Sequence, residues 1–169
     1  MRACDPLSQD GFSVIEMLIA LAMAGVLLAM AVPALQDMIL RKQVLEGMSL
    51  LTLAEAGVQA AWTLSGKMPA DNAEAGIPVP EKIVGNLVSR VDVRDGAVTL
   101  AFGNNASKAL LGKKLTLRPA VVADTPLVPI AWLCNSTPTP EGMTVLGENA
   151  TDIPAKWLPV ECRGSPSAK

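Results

Sequence analysis

Glu16 is the ionisable residue whose setting most constrains what this chain does. It stands at the front of nineteen consecutive residues, Met17 to Leu35, that carry neither a charge nor a hydrogen-bonding side chain. A carboxylate drawn into such surroundings alone costs several kcal/mol, so the chemistry it points to is pairing with a cation supplied from elsewhere. The other reactive groups are three cysteines, Cys4, Cys134 and Cys162, and a basic cluster of Lys108, Lys113, Lys114 and Arg118. A cysteine needs an activating neighbour to act as a nucleophile, and the chain has no histidine. That removes the commonest general base and the commonest nitrogen ligand for a transition metal. The basic cluster has two readings: phosphate contacts, with Lys113 and Lys114 as the candidate DNA-binding pair, or an ordinary solvated face. Two Phe, three Trp and no Tyr offer little surface for base stacking, which favours the solvated face. Acidic residues lack the spacing of a calcium loop, and no glycine-rich phosphate loop follows a strand. No cofactor, no metal site and no catalytic residue are expected.

The elements that must hold these residues begin with a helix. At about 1.5 Å of rise per residue, the uncharged run approaches the ~30 Å of a bilayer's hydrocarbon core. A secretory signal peptide cut near Ala29-Met30-Ala31 and a plain single-span anchor compete with that reading. The run is longer than a typical signal core, opens on Glu16 and stays helical in pattern beyond Ala31, all of which speak against a signal peptide. After Pro33 the pattern becomes amphipathic, with Leu40, Val44, Met48, Leu51, Ala54, Val58, Ala61 and Trp62 at three- and four-residue steps and Arg41, Lys42, Gln43, Glu46 and Glu55 between them. One continuous helix is predicted to reach Leu64 and stop at Ser65-Gly66, with Gly25 and Pro33 as its weak points.

Residues 67–85 are rich in Pro, Gly, Asn and Asp and read as a connecting loop. Strand signals follow over 87–93 and 98–102, joined by the hairpin dipeptide Asp95-Gly96, and then over 114–119 and 130–134. One helix followed by four strands predicts an α+β fold, with a four-stranded antiparallel sheet packed on the C-terminal half of the helix.

Gly11 followed by Phe12, Ser13, Val14, Ile15 and Glu16, then a long apolar helix, then PALQDMILRKQ, resembles the prepilin signature of type IV pilins. The segment SGKMPADNAEAGIPVPEKIVG, the strands, PIAWLC and KWLPVEC extend the likeness to the pilin domain of the type IVa group. The resemblance implies a leader, residues 1–11, cut by a prepilin peptidase between Gly11 and Phe12, with N-methylation of the new terminus. It implies that Glu16 serves assembly, its carboxylate meeting the Phe12 amine of a neighbouring subunit. Residues 12–36 would then be the transmembrane and filament-core helix. Residues 37–169 would be the head: the amphipathic helix (37–65), the connecting loop (66–86), the sheet (87–134) and a loop (134–162) closed by a disulfide.

With Cys4 in the leader, Cys134 and Cys162 remain as a pair, which reads as one disulfide in an oxidising compartment. The implied partners are copies of the chain, the prepilin peptidase, the pilus assembly machinery and the inner membrane, with DNA not favoured. The implied place is the inner membrane and then an extracellular pilus of a Gram-negative bacterium, serving adhesion, twitching motility or DNA uptake. A DNA-binding minor or competence pilin and a type II secretion pseudopilin are the alternatives; the long disulfide loop and the want of a calcium-site pattern speak against the pseudopilin. An enzyme is not expected.

Overall fold

The structure is a computed structural model that describes residues 12–164 of the 169-residue chain. Two helices come first, α1 (Val14–Met48) and α2 (Leu51–Ser65), followed by strands β1 (Val88–Arg94), β2 (Ala97–Phe102), β3 (Lys114–Val121), β4 (Ala131–Cys134) and β5 (Thr144–Val145). Single 3-10 turns span Pro80–Lys82, Ala155–Trp157 and Val160–Cys162. The chain divides into two compact units, one through Gln36 and one from Asp37 onward.

The helix is not continuous to its end. Helical backbone runs through Gly25 and Pro33, the expected weak points, and breaks instead at Ser49-Leu50. There the amides of Ser49 and Leu50 donate to carbonyls three residues back, Glu46 and Gly47, at 3.3 and 3.2 Å. The Ser49 hydroxyl donates to Glu46 O at 2.7 Å and the Thr52 hydroxyl to Ser49 O at 2.8 Å. Hydroxyls that take the carbonyls of the helical ladder tighten and interrupt it locally, and neither shows in a hydrophobic pattern. The expected stop holds: Gly66 adopts a left-handed φ of 66° and its amide donates to Trp62 O, a C-terminal cap that glycine takes without a Cβ penalty.

In the second unit, Leu40, Val44, Leu51, Ala54, Val58 and Trp62 form the buried helical face, which shares one core with the sheet. Strand alternation sets the sheet's contribution. Val98, Leu100 and Phe102 of β2 point inward, while Thr99 and Ala101 between them stay partly exposed. Gly47 lets the helix approach closely, since a Cβ there would lie 2.7 Å from Phe102 Cε1.

The sheet runs β1-β2-β3-β4, antiparallel throughout. Asp95 and Gly96, both at positive φ, join β1 to β2 in the two-residue turn that suits a right-twisted hairpin. The predicted sheet had four strands; β5 is a fifth, and it lies inside the loop between the cysteines. Ala120 of β3 pairs with Ala131 of β4 and also with Val145 of β5, so the two must flank β3 on opposite sides. β5 therefore extends the line of β2 past the β1–β2 turn. Two residues between glycines and prolines carry too little pattern for strand recognition, and pairing decides their conformation.

Candidate functional site

Phe12 and Glu16 open the described chain, with Glu16 in the first turn of α1. The proposed cleavage partner Gly11 lies outside the described residues. From Phe12 through Gln36, every side chain described is exposed, among them Val14, Leu18, Leu21, Leu28, Met30 and Leu35. An exposed apolar surface of this extent needs a non-aqueous neighbour, either lipid or other copies of the same helix. The helix is long and apolar enough to cross a bilayer. Glu16 is the one charged side chain on that surface among the described residues 12–36.

The two cysteines form a disulfide between the end of β4 and the turn Val160–Cys162, with Cα atoms 5.0 Å apart. Both are buried. The 27 residues between them make little regular structure but are held at several places. The Lys114 amide donates to Asp152 Oδ1 at 2.6 Å and the Asp152 amide returns a bond to Lys114 O. The Thr116 amide donates to the Thr151 hydroxyl, and the Ala150 amide donates to the Thr116 hydroxyl. Ile153 and Leu158 are buried in the core.

A further attachment reaches the helix. Trp157 Nε1 donates to Asp37 Oδ1 at 2.7 Å, Lys156 Nζ lies 3.1 Å from the same oxygen, and Arg41 Nε donates to Lys156 O at 2.6 Å. The Trp157 hydrogen bond, followed by that of Lys156, holds the Asp37 carboxyl below the usual carboxylate range. Glu55 on α2 moves the other way: partial burial raises its carboxyl above the usual value.

Sequence reasoning passed over Asn72. Its side chain is 4% exposed, donates through Nδ2 to Pro78 O at 2.8 Å and Val91 O at 3.0 Å, and accepts from the Val93 amide at 2.6 Å. One amide thus pairs with alternate backbone groups on the outer edge of β1, closing a sheet edge that would otherwise invite another strand. The only signal was an Asp-Asn pair in a loop, which ordinarily reads as a turn.

The basic cluster divides: Lys114 and Arg118 share one face of β3, Lys113 adjoins them, and Lys108 lies apart. Lys113 Nζ lies 3.9 Å from Asp152 Oδ2. Lys114 lines a cavity of about 510 Å³ over the outer face of β1 and β2, where Arg90, Asp92, Arg94, Asp95 and Glu148 interleave both signs of charge. Arg118 Nη2 donates to Asn135 O. Lys108 sits in another region, next to Ser107, whose amide donates to Gln43 Oε1. Among the described residues, no group of three or more His, Cys, Asp or Glu is placed to hold a metal ion.

Comparison with known proteins places these features together. Residues 7–32 match the prokaryotic N-terminal methylation motif, and residues 41–163 match the pilin family of bacterial filaments. A type IV major pilin protein of Neisseria gonorrhoeae is 32% identical over 166 residues, covering 95% of this chain and 90% of that protein. A fimbrial protein of Neisseria meningitidis serogroup B is 31% identical over 169 residues, covering 95% and 97%. A fimbrial protein of Eikenella corrodens is 31% identical over 160 residues, covering 93% and 92%.

Proposed function

The chain belongs to the pilin family of bacterial filament subunits, and from that premise we propose that it is a structural subunit of a type IV pilus that polymerises through its N-terminal helix. One observation carries the reading: an apolar surface over residues 12–36, exposed at every side chain described and marked by a single carboxylate at Glu16. Held in the inner membrane of a Gram-negative cell, that surface is covered by lipid. In a filament it is covered by the same helix of other subunits, and the heads form the coat.

In this reading a prepilin peptidase cuts between Gly11 and Phe12 and the new amine is methylated, which leaves a cation four residues ahead of Glu16. An unpaired carboxylate within hydrocarbon costs about 3 kcal/mol on insertion scales. The Phe12 amine of an adjoining subunit removes that cost and fixes the axial register of the two helices. The pilus assembly machinery then moves the subunit from the membrane to an extracellular fibre that serves adhesion or twitching. The protein does no covalent chemistry of its own in this account, and Lys113 and Lys114 are surface residues rather than a DNA site.

The test replaces Glu16 with Ala and, separately, with Gln. Both variants are expected to insert in the membrane and to fold their heads, and both are expected to yield few or no surface filaments. Normal numbers of pili from Glu16→Ala cells would refute the role assigned to the carboxylate.

A further inference from the structure

Lys108 was grouped by sequence with Lys113, Lys114 and Arg118, but the fold carries it to a different neighbourhood. The Ser107 amide donates to Gln43 Oε1 at 3.0 Å, which places the loop bearing Lys108 against α1. The segment bearing Lys156 is fixed to the same stretch of α1 by Asp37 and Arg41. At roughly 100° per residue, Asp37 and Arg41 fall on one flank of the buried line Leu40–Val44, Gln43 on the other flank, and Lys42 on the side facing away from it. Four cations, Arg41, Lys42, Lys108 and Lys156, therefore gather around the helix between Asp37 and Gln43, nearly two turns, and all four are exposed.

This turn follows directly on the uncharged stretch. Arg41 comes six residues after Leu35, about 9 Å of helical rise. The headgroup layer of each leaflet is about 5 to 8 Å thick, and side chains on a helix lean toward its N-terminus, here toward the membrane. Two carboxylates share this stretch of α1: Asp37 is engaged by Lys156 and Trp157, and Glu46, one turn beyond Lys42, accepts from Asn86 Nδ2 at 3.4 Å. The side chains of Lys42 and Lys108 make no hydrogen bond or ion pair among the described residues. We propose that Arg41, Lys42, Lys108 and Lys156 form a collar that binds the headgroups of anionic phospholipid and seats the head on the bilayer surface before assembly. The proposal rests on the reading that residues 12–36 span a membrane, and its charge complementarity selects acidic over zwitterionic lipid.

The experiment reconstitutes the full chain in phosphatidylcholine vesicles containing a minority of phosphatidylglycerol and compares the two lipids, each spin-labelled in turn, for association with the protein by electron paramagnetic resonance. The wild-type chain is expected to prefer phosphatidylglycerol roughly fivefold, the factor that one well-engaged surface cation supplies. The preference should fall toward unity at about 0.5 M salt, where screening shortens to a few ångströms. Replacing Arg41, Lys42, Lys108 and Lys156 with Gln should abolish it. The double variant Lys42→Gln with Lys108→Gln, which disturbs none of the contacts described, should weaken it. Equal preference in wild type and variants, or a preference unmoved by salt, overturns the collar. Loss of the preference on adding inorganic phosphate also overturns it, by revealing a site for free anions. Flotation with the vesicles reads insertion separately: a wild-type chain that does not float overturns the membrane reading itself, whereas flotation of all variants without headgroup preference overturns only the collar.

Discussion

Replacing Asn72 with Ala removes three hydrogen bonds at once, and the structure says how much each matters. Val91 O and the Val93 amide belong to residues that are 0% and 2% exposed, so neither gains water easily when the Asn72 amide is lost. Each buried group left unpaired costs about 1 to 3 kcal/mol. Pro78 O belongs to an exposed residue and rehydrates at small cost. The expected loss is therefore about 3 to 4 kcal/mol, a large part of the roughly 5 to 15 kcal/mol that holds a domain together. Asn72→Asp separates this account from simple loss of packing. A carboxylate keeps the acceptor for Val93 but presents an oxygen to two carbonyls, so it should be at least as damaging at neutral pH and should partly recover in acid, when a protonated carboxyl regains one donor.

The assay is guanidinium unfolding of the full chain in detergent, followed by the fluorescence of Trp62, Trp132 and Trp157, with hydrogen exchange at the Val93 amide as the local readout. The midpoint for Asn72→Ala should fall by about 1 M, taking a slope of roughly 3 to 4 kcal/mol per molar. Exchange at Val93 should accelerate together with that at Asp95 and Gly96, whose amides donate to Ala70 O and Pro69 O in the same loop. A midpoint shift below about 0.3 M with an unchanged slope and unchanged Val93 exchange would refute the edge-closing role.

Two further outcomes follow from the region around the cystine. Substituting both Cys134 and Cys162 with Ser opens a long, proline-interrupted loop and should cost about 3 to 4 kcal/mol on the chain-entropy account; limited proteolysis should then cut within 135–161 while 88–121 stays protected, and equal protease resistance with and without the bridge would contradict this. Asp37 has its carboxyl lowered by Trp157 and Lys156, so its contribution is fully present above the ordinary aspartate value of about 3.9 and is lost as pH falls through the lower folded value. The indole N–H resonance of Trp157 should therefore shift only in acid below about 3.9 and stay flat in Asp37→Asn; a transition near neutral pH, or one that survives the substitution, would assign it to another group.

The sequence made the helix, the order of strands and the hairpin at Asp95-Gly96 readable because each rests on a local period or a local backbone requirement. Periods of three to four residues and of two mark which faces are buried, and a positive φ asks for Asp or Gly. The break at Ser49-Leu50 was hidden because two hydroxyls, not a change in apolar pattern, cause it. β5 was hidden because its partner, β3, lies more than twenty residues earlier in the chain. The same holds for Asn72 and for Asp37 with Trp157, whose partners are 19 to 120 positions away along the chain. Such contacts are products of the fold and leave no spacing to read. Of the residues proposed for processing and assembly, Glu16 stands out in the sequence because a charge beside a nineteen-residue apolar run is rare and costly, whereas Gly11 and Phe12 are legible only through the resemblance to the prepilin signature. Lys108 shows the converse: it is close in sequence to Lys113, Lys114 and Arg118, yet the fold carries it to α1, while Lys114 and Arg118 stay on one face of β3.

Whether an apolar helix led by one carboxylate is covered first by lipid and then by its own kind can be read from mass spectrometry of fibres sheared from the cell surface. The fibres should contain abundant chain that begins with N-methylated Phe12, retains residues 12–36 and carries an intact Cys134–Cys162 bridge. A shed soluble chain beginning at Val32, with no copy in the fibre fraction, would contradict it.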